Sequence, residues 1–380
     1  RGVMMDIEVF KRVGTTGFNF QTAGVLDSFK NLSVNWRFYT YSKFSLTILL
    51  SNVNLTKQEE LVTTLLTPDS LLNIGECYFY IDHVQCDDST NGELVISGKS
   101  LRAKSLKRII YRIYHQTKRP ELIVYDHLNN EVVNPSQVNR KIEYLSLTAP
   151  SVLTTSVVDY QNSYGIVSDE VDALCETYSF GIREKATSLS TPKNSIEIVK
   201  GNDLSNTVEF NVEFDNLMSE SFDASNFDEA TMAWVFGEGE GTARLNVKLN
   251  DTLSGLERQE IYVDARDIQK ATQDGNGKDI TLTDAQYKAA LTSRGITKLA
   301  EQEAVLTLNG DIDLKSDLFI YGKDYQIGDR VRITSKLFNL TKTAVLSGID
   351  ETWDASGQHL SPIWDKESPT VFEIIKRRLK

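Results

Sequence analysis

The sequence predicts an α+β protein of several domains, with strand-rich segments at both ends of the chain and helices between them. Its 380 residues are enough for two or three domains. Its composition, 40% hydrophobic and 25% charged, is typical of a globular protein. β-branched and aromatic residues partly alternate before residue 100 and again after residue 304, as strands require. No stretch approaches the ~18 apolar residues of a membrane-spanning helix.

Residues 6–100 predict an N-terminal β-barrel. Strand patterns cover 31–50, 76–84 and 92–98. One short helix interrupts them, because Thr56 and Glu59 have capping-box spacing. Its apolar positions are Leu61, Val62, Leu65 and Leu66.

Residues 101–190 predict an α/β domain that opens with a basic helix over 100–115. Residues 99–119 hold eight Lys or Arg and no Asp or Glu. A second helix is predicted from Ser168, with acidic residues in its first turn. Strand-like pieces occur at 122–126 and 143–147. The apolar stripes of the two helices are Leu106, Ile109, Ile110 and Ile113, and Val171, Leu174, Cys175 and Tyr178.

Residues 191–303 predict a mixed, β-rich domain with an acidic segment. Residues 201–240 contain ten Asp or Glu and no Lys or Arg. A turn is expected at 275–278, and Thr283 and Gln286 form a capping box that opens a helix over 284–303. Strand patterns lie at 207–214, 242–250 and 260–268.

Residues 304–380 predict the elements of a C-terminal β-barrel. Gly322-Lys323 and Gly328-Asp329 supply turns between strands. The strand patterns are 305–314, 318–322, 330–335 and 343–353.

The charge balance excludes a generally basic nucleic-acid binder. The chain carries 41 Lys plus Arg and 53 Asp plus Glu, a net charge of −12. Three Cys exclude a disulfide-stapled scaffold, and with four His they leave little material for metal sites.

Four local motifs resemble binding sites but lack the required pattern. GKS at 98–100 lacks a glycine at position 93, and GEGEG at 237–241 lacks GxGxxG spacing. The segment from Asp274 lacks the glycine and final glutamate of a calcium loop. Cys77, His83 and Cys86 have no fourth zinc ligand. GxSxG, HExxH and CxxC are absent, so we predict no catalytic residues, no cofactor-binding residues and no metal site.

The basic segment 99–119 has three interpretations. Its cations could form a solvated face, meet an acidic surface such as 201–240 of another subunit, or face passing nucleic acid.

Four stretches, in this order and spacing, resemble the siphophage tail-tip family, whose members are baseplate hub proteins that correspond to the N-terminal part of tail-associated lysins. They are LVISGKSLRAKSLKRI (94–109), VFGEGEGTARLNVKLNDTLSGLERQEIYVDARDI (235–268), LTSRGITKLAE (291–301) and YGKDYQIGDRV (321–331). The resemblance extends over about residues 94–349.

This resemblance implies a virion structural protein whose fold is similar to the central hub of contractile phage tails. Such hubs have two small β-barrels and additional α/β domains in each chain, and three chains form a ring. Six barrels would let a threefold tip sit on the sixfold ring of distal tail proteins. Receptor-binding or other baseplate proteins and the tape measure protein are the further implied partners, and phage DNA would pass through transiently. The implied location is the distal tail tip of the virion, after assembly in the host cytoplasm.

The resemblance also implies structural roles for eleven motif residues. Gly98 would turn the last strand of the first barrel into the basic helix, and Gly328 with Asp329 would form a hairpin turn in the last barrel. The other glycines would permit tight backbone geometry, and the charged residues would hold ion pairs within or between subunits. These others are Gly237, Gly239, Gly241, Arg244, Arg258, Asp264, Arg266 and Asp267.

The alternative function is a tail protein that binds or cleaves host cell-wall glycans. It would need a groove with aromatic platforms and two suitably spaced carboxylates. The available tryptophans, for which we expect packing roles, are Trp36, Trp234, Trp353 and Trp364. Because the chain ends about fifty residues after Asp329, we expect no C-terminal lysin or glycan-binding extension and no wall-degrading activity.

Overall fold

The computed structural model is a mixed α+β structure built mostly of sheets around several hydrophobic cores. The residues it describes are 6–14, 17–50, 60–61, 65–87, 92–111, 114–162, 164–188, 192–274, 276–314 and 316–365. Most of the predicted helix around Thr56 lies outside them. Within these ranges no helix is both long and apolar enough to cross a membrane.

The N-terminal strands supply seven of the eleven strands of the largest sheet. Their inward residues alternate along each strand and fill one core, with Leu32, Leu46 and Ile96 fully buried. The strands are β1 (Ile7–Arg12), β2 (Phe20–Leu26), β3 (Asn31–Arg37), β4 (Lys43–Leu49), β5 (Leu71–Ile74), β6 (Cys77–Asp87) and β7 (Glu93–Ser100).

The C-terminal strands complete the same sheet. β22 pairs antiparallel with β3, which joins residues 348–353 to residues 32–37. Among the described residues the sheet runs from β13 to β2, and a closed barrel is not detected. The strands are β13 (Glu209–Phe210), β21 (Arg330–Ser335), β22 (Leu340–Asp354) and β23 (Gly357–Trp364).

The α/β unit packs three helices against two small sheets. The predicted helix from Ser168 is present, with Val171, Leu174 and Cys175 buried. The elements are α1 (Leu101–Ser105), β8 (Tyr114–Lys118), α2 (Pro120–Leu128), β9 (Leu145–Thr148), β10 (Val158–Asn162), α3 (Val167–Tyr178), β11 (Gly181–Ser188) and β12 (Lys193–Val199).

One helix prediction and one strand prediction in this unit are wrong. The basic helix ends at Ser105, because residues 108–110 extend and hydrogen-bond to residues 164–167. Ile110 is buried and Ile109 exposed, an alternation that suits β-branched residues in an extended chain. The strand at 122–126 is instead part of α2, which begins with a proline at its first position.

The remaining unit packs a long helix on a three-stranded sheet. Its helix α4 (Asp284–Ala300) has the predicted Thr283–Gln286 capping box and ends three residues before the predicted 303. Of the predicted turn at 275–278, residues 276–278 are described, and Gly277 N–H donates to the Asp274 carbonyl between two paired strands. The strands are β14 (Ser221–Ser225), β15 (Met232–Phe236), β16 (Asn246–Leu249), β17 (Glu260–Asp264), β18 (Ala271–Gln273), β19 (Asp279–Thr281) and β20 (Val305–Asn309).

Two further predicted strands are shorter or absent. In 207–214 only β13 forms, because the Asn211 side chain accepts from Glu213 N–H and starts a 3-10 turn. Residues 318–322 form no strand, since Gly322 (φ 81°) folds the chain back and its N–H donates to the Tyr325 carbonyl.

Candidate functional site

Arg244 ties together two strand ends of the β15–β17 unit. Its Nε donates to the Gly237 carbonyl at 2.6 Å and its Nη2 donates to the Phe236 carbonyl at 2.9 Å. Its guanidinium also contacts Tyr262 Oη at 2.8 Å and Asp264 Oδ1 at 2.6 Å. Arg244 therefore satisfies the Gly237 carbonyl and adds a second hydrogen bond to the Phe236 carbonyl, which also accepts from Ala265 N–H at 2.8 Å.

Asp264 lies between two arginines. Its carboxylate accepts from Arg266 Nη2 at 2.5 Å as well as from Arg244. These hydrogen bonds, that from Arg266 first, lower the pKa of Asp264 to about 2. Asp264 therefore stays ionised through the physiological pH range.

The glycines of the 237–241 segment differ in what they do. A Cβ at Gly237 would lie 2.0 Å from Tyr287 Oη, which donates to the Ile268 carbonyl and accepts from Glu238 N–H. Gly239 and Gly241 have φ of 100° and 56°, values that favour glycine. Gly237 thus allows a close approach, and the other two allow the turn.

The remaining charged motif residues also pair within the chain. Arg258 bonds Glu260 at 2.5 Å and Asp251 at 2.9 Å. Asp267 accepts from Arg294 of α4 at 2.9 Å. Burial alone would lower the pKa of Arg294, but the Asp267 carboxylate outweighs it and the pKa is raised.

A second charged network lies inside the molecule, where the N-terminal sheet meets the α/β unit. Arg102, only 2% exposed, donates to the carbonyls of Tyr39 at 2.9 Å and Thr40 at 3.1 Å, and it bonds Asp172 of α3. Its backbone N–H donates to Glu184 Oε2 at 2.9 Å. Burial raises the pKa of Asp172 and of Glu184, and Arg102 opposes both shifts.

Glu184 extends this network to three elements. Its carboxylate accepts from Ser100 Oγ at 2.6 Å and from Asn194 Nδ2 at 3.2 Å. Its backbone carbonyl accepts from Cys77 Sγ at 3.3 Å. Through Glu184 and Arg102 the network thus joins β11 to β6, β7, β12, α1 and α3.

Gly98 lies within β7 and does not form the expected turn into a helix. The strand continues to Ser100, and α1 begins at Leu101. A Cβ at Gly98 would lie 1.9 Å from the Tyr80 carbonyl oxygen and 2.8 Å from the Phe44 ring. The glycine is required by the close approach of β6.

Gly328 and Asp329 form a turn, but it does not connect two paired strands as a hairpin would. The strand before it, β20, pairs with β14, whereas β21 pairs with β22 and β13. Gly328 has φ of 101°, and a Cβ there would lie 2.5 Å from the Phe38 ring. The buried Asp329 accepts from Asn202 N–H at 2.7 Å and from Gln326 N–H at 2.9 Å. The turn therefore fastens the 201–202 segment to the large sheet.

The family model described as Siphovirus ReqiPepy6 Gp37-like protein matches residues 8–363. The chain belongs to this family. No curated protein is significantly similar in sequence.

Solved phage tail proteins share the fold of this Gp37-like chain over nearly its whole length. The tail protein from Neisseria meningitidis MC58 is 12% identical, with a TM-score of 0.55 and 95% and 97% of the two chains covered. The 43 kDa tail protein of prophage MuSo2 from Shewanella oneidensis is 10% identical, with a TM-score of 0.53 and 95% and 98% covered. Prophage tail protein gp18 from Listeria monocytogenes EGD-e is 11% identical, with a TM-score of 0.51 and 98% of both covered. The predicted membership of a siphovirus protein family is confirmed, and the fold is one that solved phage tail proteins share.

A cleft of about 550 Å³ lies between α3 and α4 of the Gp37-like chain. Two of its lining carboxylates already have partners: Tyr160 Oη donates to Glu170 at 2.8 Å, and Lys298 bonds Glu301 at 2.8 Å. Within the described ranges no group of three or more His, Cys, Asp or Glu is arranged to hold a metal ion.

The tryptophans mainly hold structural positions. Trp36 and Trp353 both donate to the carboxylate of Glu351, at 2.7 and 2.8 Å. Trp364 is 1% exposed in the C-terminal core. Trp234 stacks near Phe236 and carries Lys248 Nζ 4.2 Å from its ring centre.

Sequence reasoning did not identify three partner residues. They are Glu184 beside Arg102, Tyr287 beside Gly237, and Arg294 beside Asp267. Each of the three is far from its partner along the chain, so no local pattern links the two. The one local signal was that Arg102 closely follows Gly98 and Ser100 in the sequence, which places a cation just after the end of a strand.

Proposed function

We propose that this Gp37-like protein is the hub subunit of a siphovirus tail tip, and that three copies form a ring that closes the distal end of the tail. The supporting observation is a fold shared with phage tail proteins over 95–98% of this chain. The proposed units are those of the sequence analysis: 6–100, 101–190, 191–303 and 304–380.

The proposed ring docks on the distal tail ring through its strand-rich parts. The strands of the two chain ends share one sheet but pack around two separate cores, so each subunit offers two β-rich parts to the distal tail ring. Three subunits would then present six such surfaces to a sixfold ring. Symmetry matching of this kind requires a closed assembly with rotational symmetry.

In this proposal the work of the protein is mechanical. The ring binds receptor-binding or other baseplate proteins and the tape measure protein, and it opens for DNA on host attachment. A net charge of −12 suits a conduit that DNA must traverse without being retained. Assembly would take place in the host cytoplasm before incorporation into the virion.

Co-purification with the distal tail protein of the same phage tests the docking. We expect a complex that contains three copies of this chain and six of the distal tail protein when its mass is measured. Failure of the two proteins to associate at micromolar concentration would contradict the proposal.

Cell-wall cleavage is the competing hypothesis. We propose that the chain is not an enzyme, so purified protein should leave the turbidity of host cell-wall suspensions unchanged. Clearing of the suspension would favour the competing function.

A further inference from the structure

A basic, aromatic cleft of about 520 Å³ opens beside α1. It is formed by the β1–β2 end, by α1 and the residues that follow it, and by residues 138–144. The aromatic part is ordered by stacking, with ring centres of Phe18 and Tyr144 3.5 Å apart. Val138, 80% exposed, adds an apolar rim. This cleft can accept an apolar side chain as well as an anion. Its lining cations are Arg12, Lys104, Arg108 and Lys141.

The residues that the structure describes balance the positive charge of this basic cleft only in part. Asp69 lies 3.3 Å from Lys104 Nζ and 3.9 Å from Arg12 Nη1, and Lys104 also lies over the Tyr80 ring. Among the residues that the structure describes, Arg108 and Lys141 form no ion pair. Within the described ranges, Glu143 is the one carboxylate that lines the cleft. Four cations therefore face two carboxylates, Glu143 in the lining and Asp69 beside it, and this excess of positive charge favours an anionic occupant.

A partly exposed segment elsewhere has the complementary chemistry. The acidic ribbon, residues 218–230, contains Glu220, Asp223, Asp228 and Glu229 and no Lys or Arg. It includes β14, which pairs only with β20 among the described strands and exposes four of its five residues.

Large apolar side chains project from the same acidic ribbon. Met218, Phe222 and Phe227 are 54%, 43% and 65% exposed. Exposed aromatics flanked by carboxylates are costly to leave in water, and they are typical anchors of an interface.

We propose that the basic cleft of one copy receives the acidic ribbon of a second copy. Cations would meet carboxylates, and a phenylalanine would enter the space beside Phe18 and Tyr144. Because the cleft and the ribbon are different surfaces, this contact is head-to-tail. Such a contact forms a closed ring when its rotation closes, and otherwise forms a filament. The inference rests on the proposed function, which requires a ring of three.

Charge reversal of each surface tests the contact in the full chain. One variant carries Arg108→Glu and Lys141→Glu in the cleft, and another carries Glu220→Lys and Asp223→Lys in the ribbon. Each should lose the three-chain mass at micromolar concentration, since like charges would then oppose one another, with roughly a tenfold or greater rise in dissociation constant. The variant with all four substitutions should regain the three-chain mass.

A matched control makes the same change of charge away from both surfaces. Lys288 and Lys323 are exposed, so Lys288→Glu with Lys323→Glu should leave the mass unchanged. Circular dichroism and thermal melting check that every variant is folded.

The outcomes separate this inference from the proposed function. If the wild type is a trimer and both reversed variants remain trimeric, the cleft–ribbon contact is overturned and the hub function stands. The same conclusion follows if both variants lose the trimer and the fourfold variant does not restore it. If the cleft binds a short DNA duplex and its reversal abolishes that binding without changing the mass, the occupant is DNA and the inference is wrong. A monomeric wild-type chain overturns the hub function itself.

Discussion

Arg102 and Arg244 make nearly the same contacts in different surroundings. Each donates to two backbone carbonyls and to an aspartate. Arg102 lies inside the junction of two units, where its side chain is 2% and that of Asp172 23% exposed. Arg244 lies at the end of a small sheet, where its side chain is 13% and that of Asp264 36% exposed. If Arg244 is removed, water can hydrate the carbonyls and the aspartate that it contacts, whereas water cannot reach the buried groups around Arg102 in the same way. Burial therefore decides which network holds the subunit in shape.

The largest expected effect comes from breaking the buried network. Arg102→Met should lower the free energy of unfolding by about 3–5 kcal/mol, because it leaves Asp172 and Glu184 charged without their buried cation. Urea unfolding measures the change. Lys107→Met removes an exposed cation from the same segment and should have little effect. A loss below about 1 kcal/mol for Arg102→Met would contradict the importance of the network.

A steric change beside that network should lower the free energy of unfolding by nearly as much. Gly98→Ala places a Cβ 1.9 Å from the Tyr80 carbonyl oxygen, so β6 and β7 must separate. We expect a loss of about 3 kcal/mol in the free energy of unfolding. Gly24→Ala in β2 is the matched control, since its Cβ meets no atom within 4 Å. Equal melting temperatures of the two variants would show that β7 is not constrained as described.

The two arginines of Asp264 should differ from each other. Arg244→Met removes hydrogen bonds to two strand-end carbonyls and should cost about 2 kcal/mol. Arg266→Met removes only an exposed ion pair and should cost under about 1 kcal/mol. Thermal unfolding of the two variants in parallel gives the ranking. A larger loss for Arg266→Met would reverse this assignment.

The smallest expected effect depends on pH. Because the pKa of Asp264 is lowered to about 2, its contribution to stability is complete above its ordinary pKa near 4 and is lost as the pH falls towards 2. The difference in stability between the wild type and Asp264→Asn should therefore be constant from pH 7 to pH 5 and shrink below pH 4. A difference that grows on acidification would exclude the lowered pKa.

The sequence predicted the elements whose signals are local. The helix at 284–300 begins with a capping box, and the helix at 167–178 has a clear apolar stripe, so both appear in the structure. The turns at 322–323 and 328–329 were also predicted from glycines in the local sequence. The predicted helix at 100–115 failed because its residues pair with residues 164–167, and tertiary pairing overrides a local pattern.

The contacts that close the fold could not be predicted. Asn35 and Asp350 are hydrogen-bonded at 2.7 Å although they are 315 positions apart, and this pairing merges the two β-rich ends into one sheet. The Arg102 network is also formed by residues from four separate segments. No pattern within a single segment specifies such partners, whereas the motif order did identify the family.

Negative-stain electron microscopy of the isolated full chain tests the central claim most directly. Class averages that show threefold rings, together with a solution mass of three chains, are the predicted result. Single particles without rotational symmetry at micromolar concentration, or rings of another symmetry, would contradict the assignment of this Gp37-like protein as a trimeric tail hub.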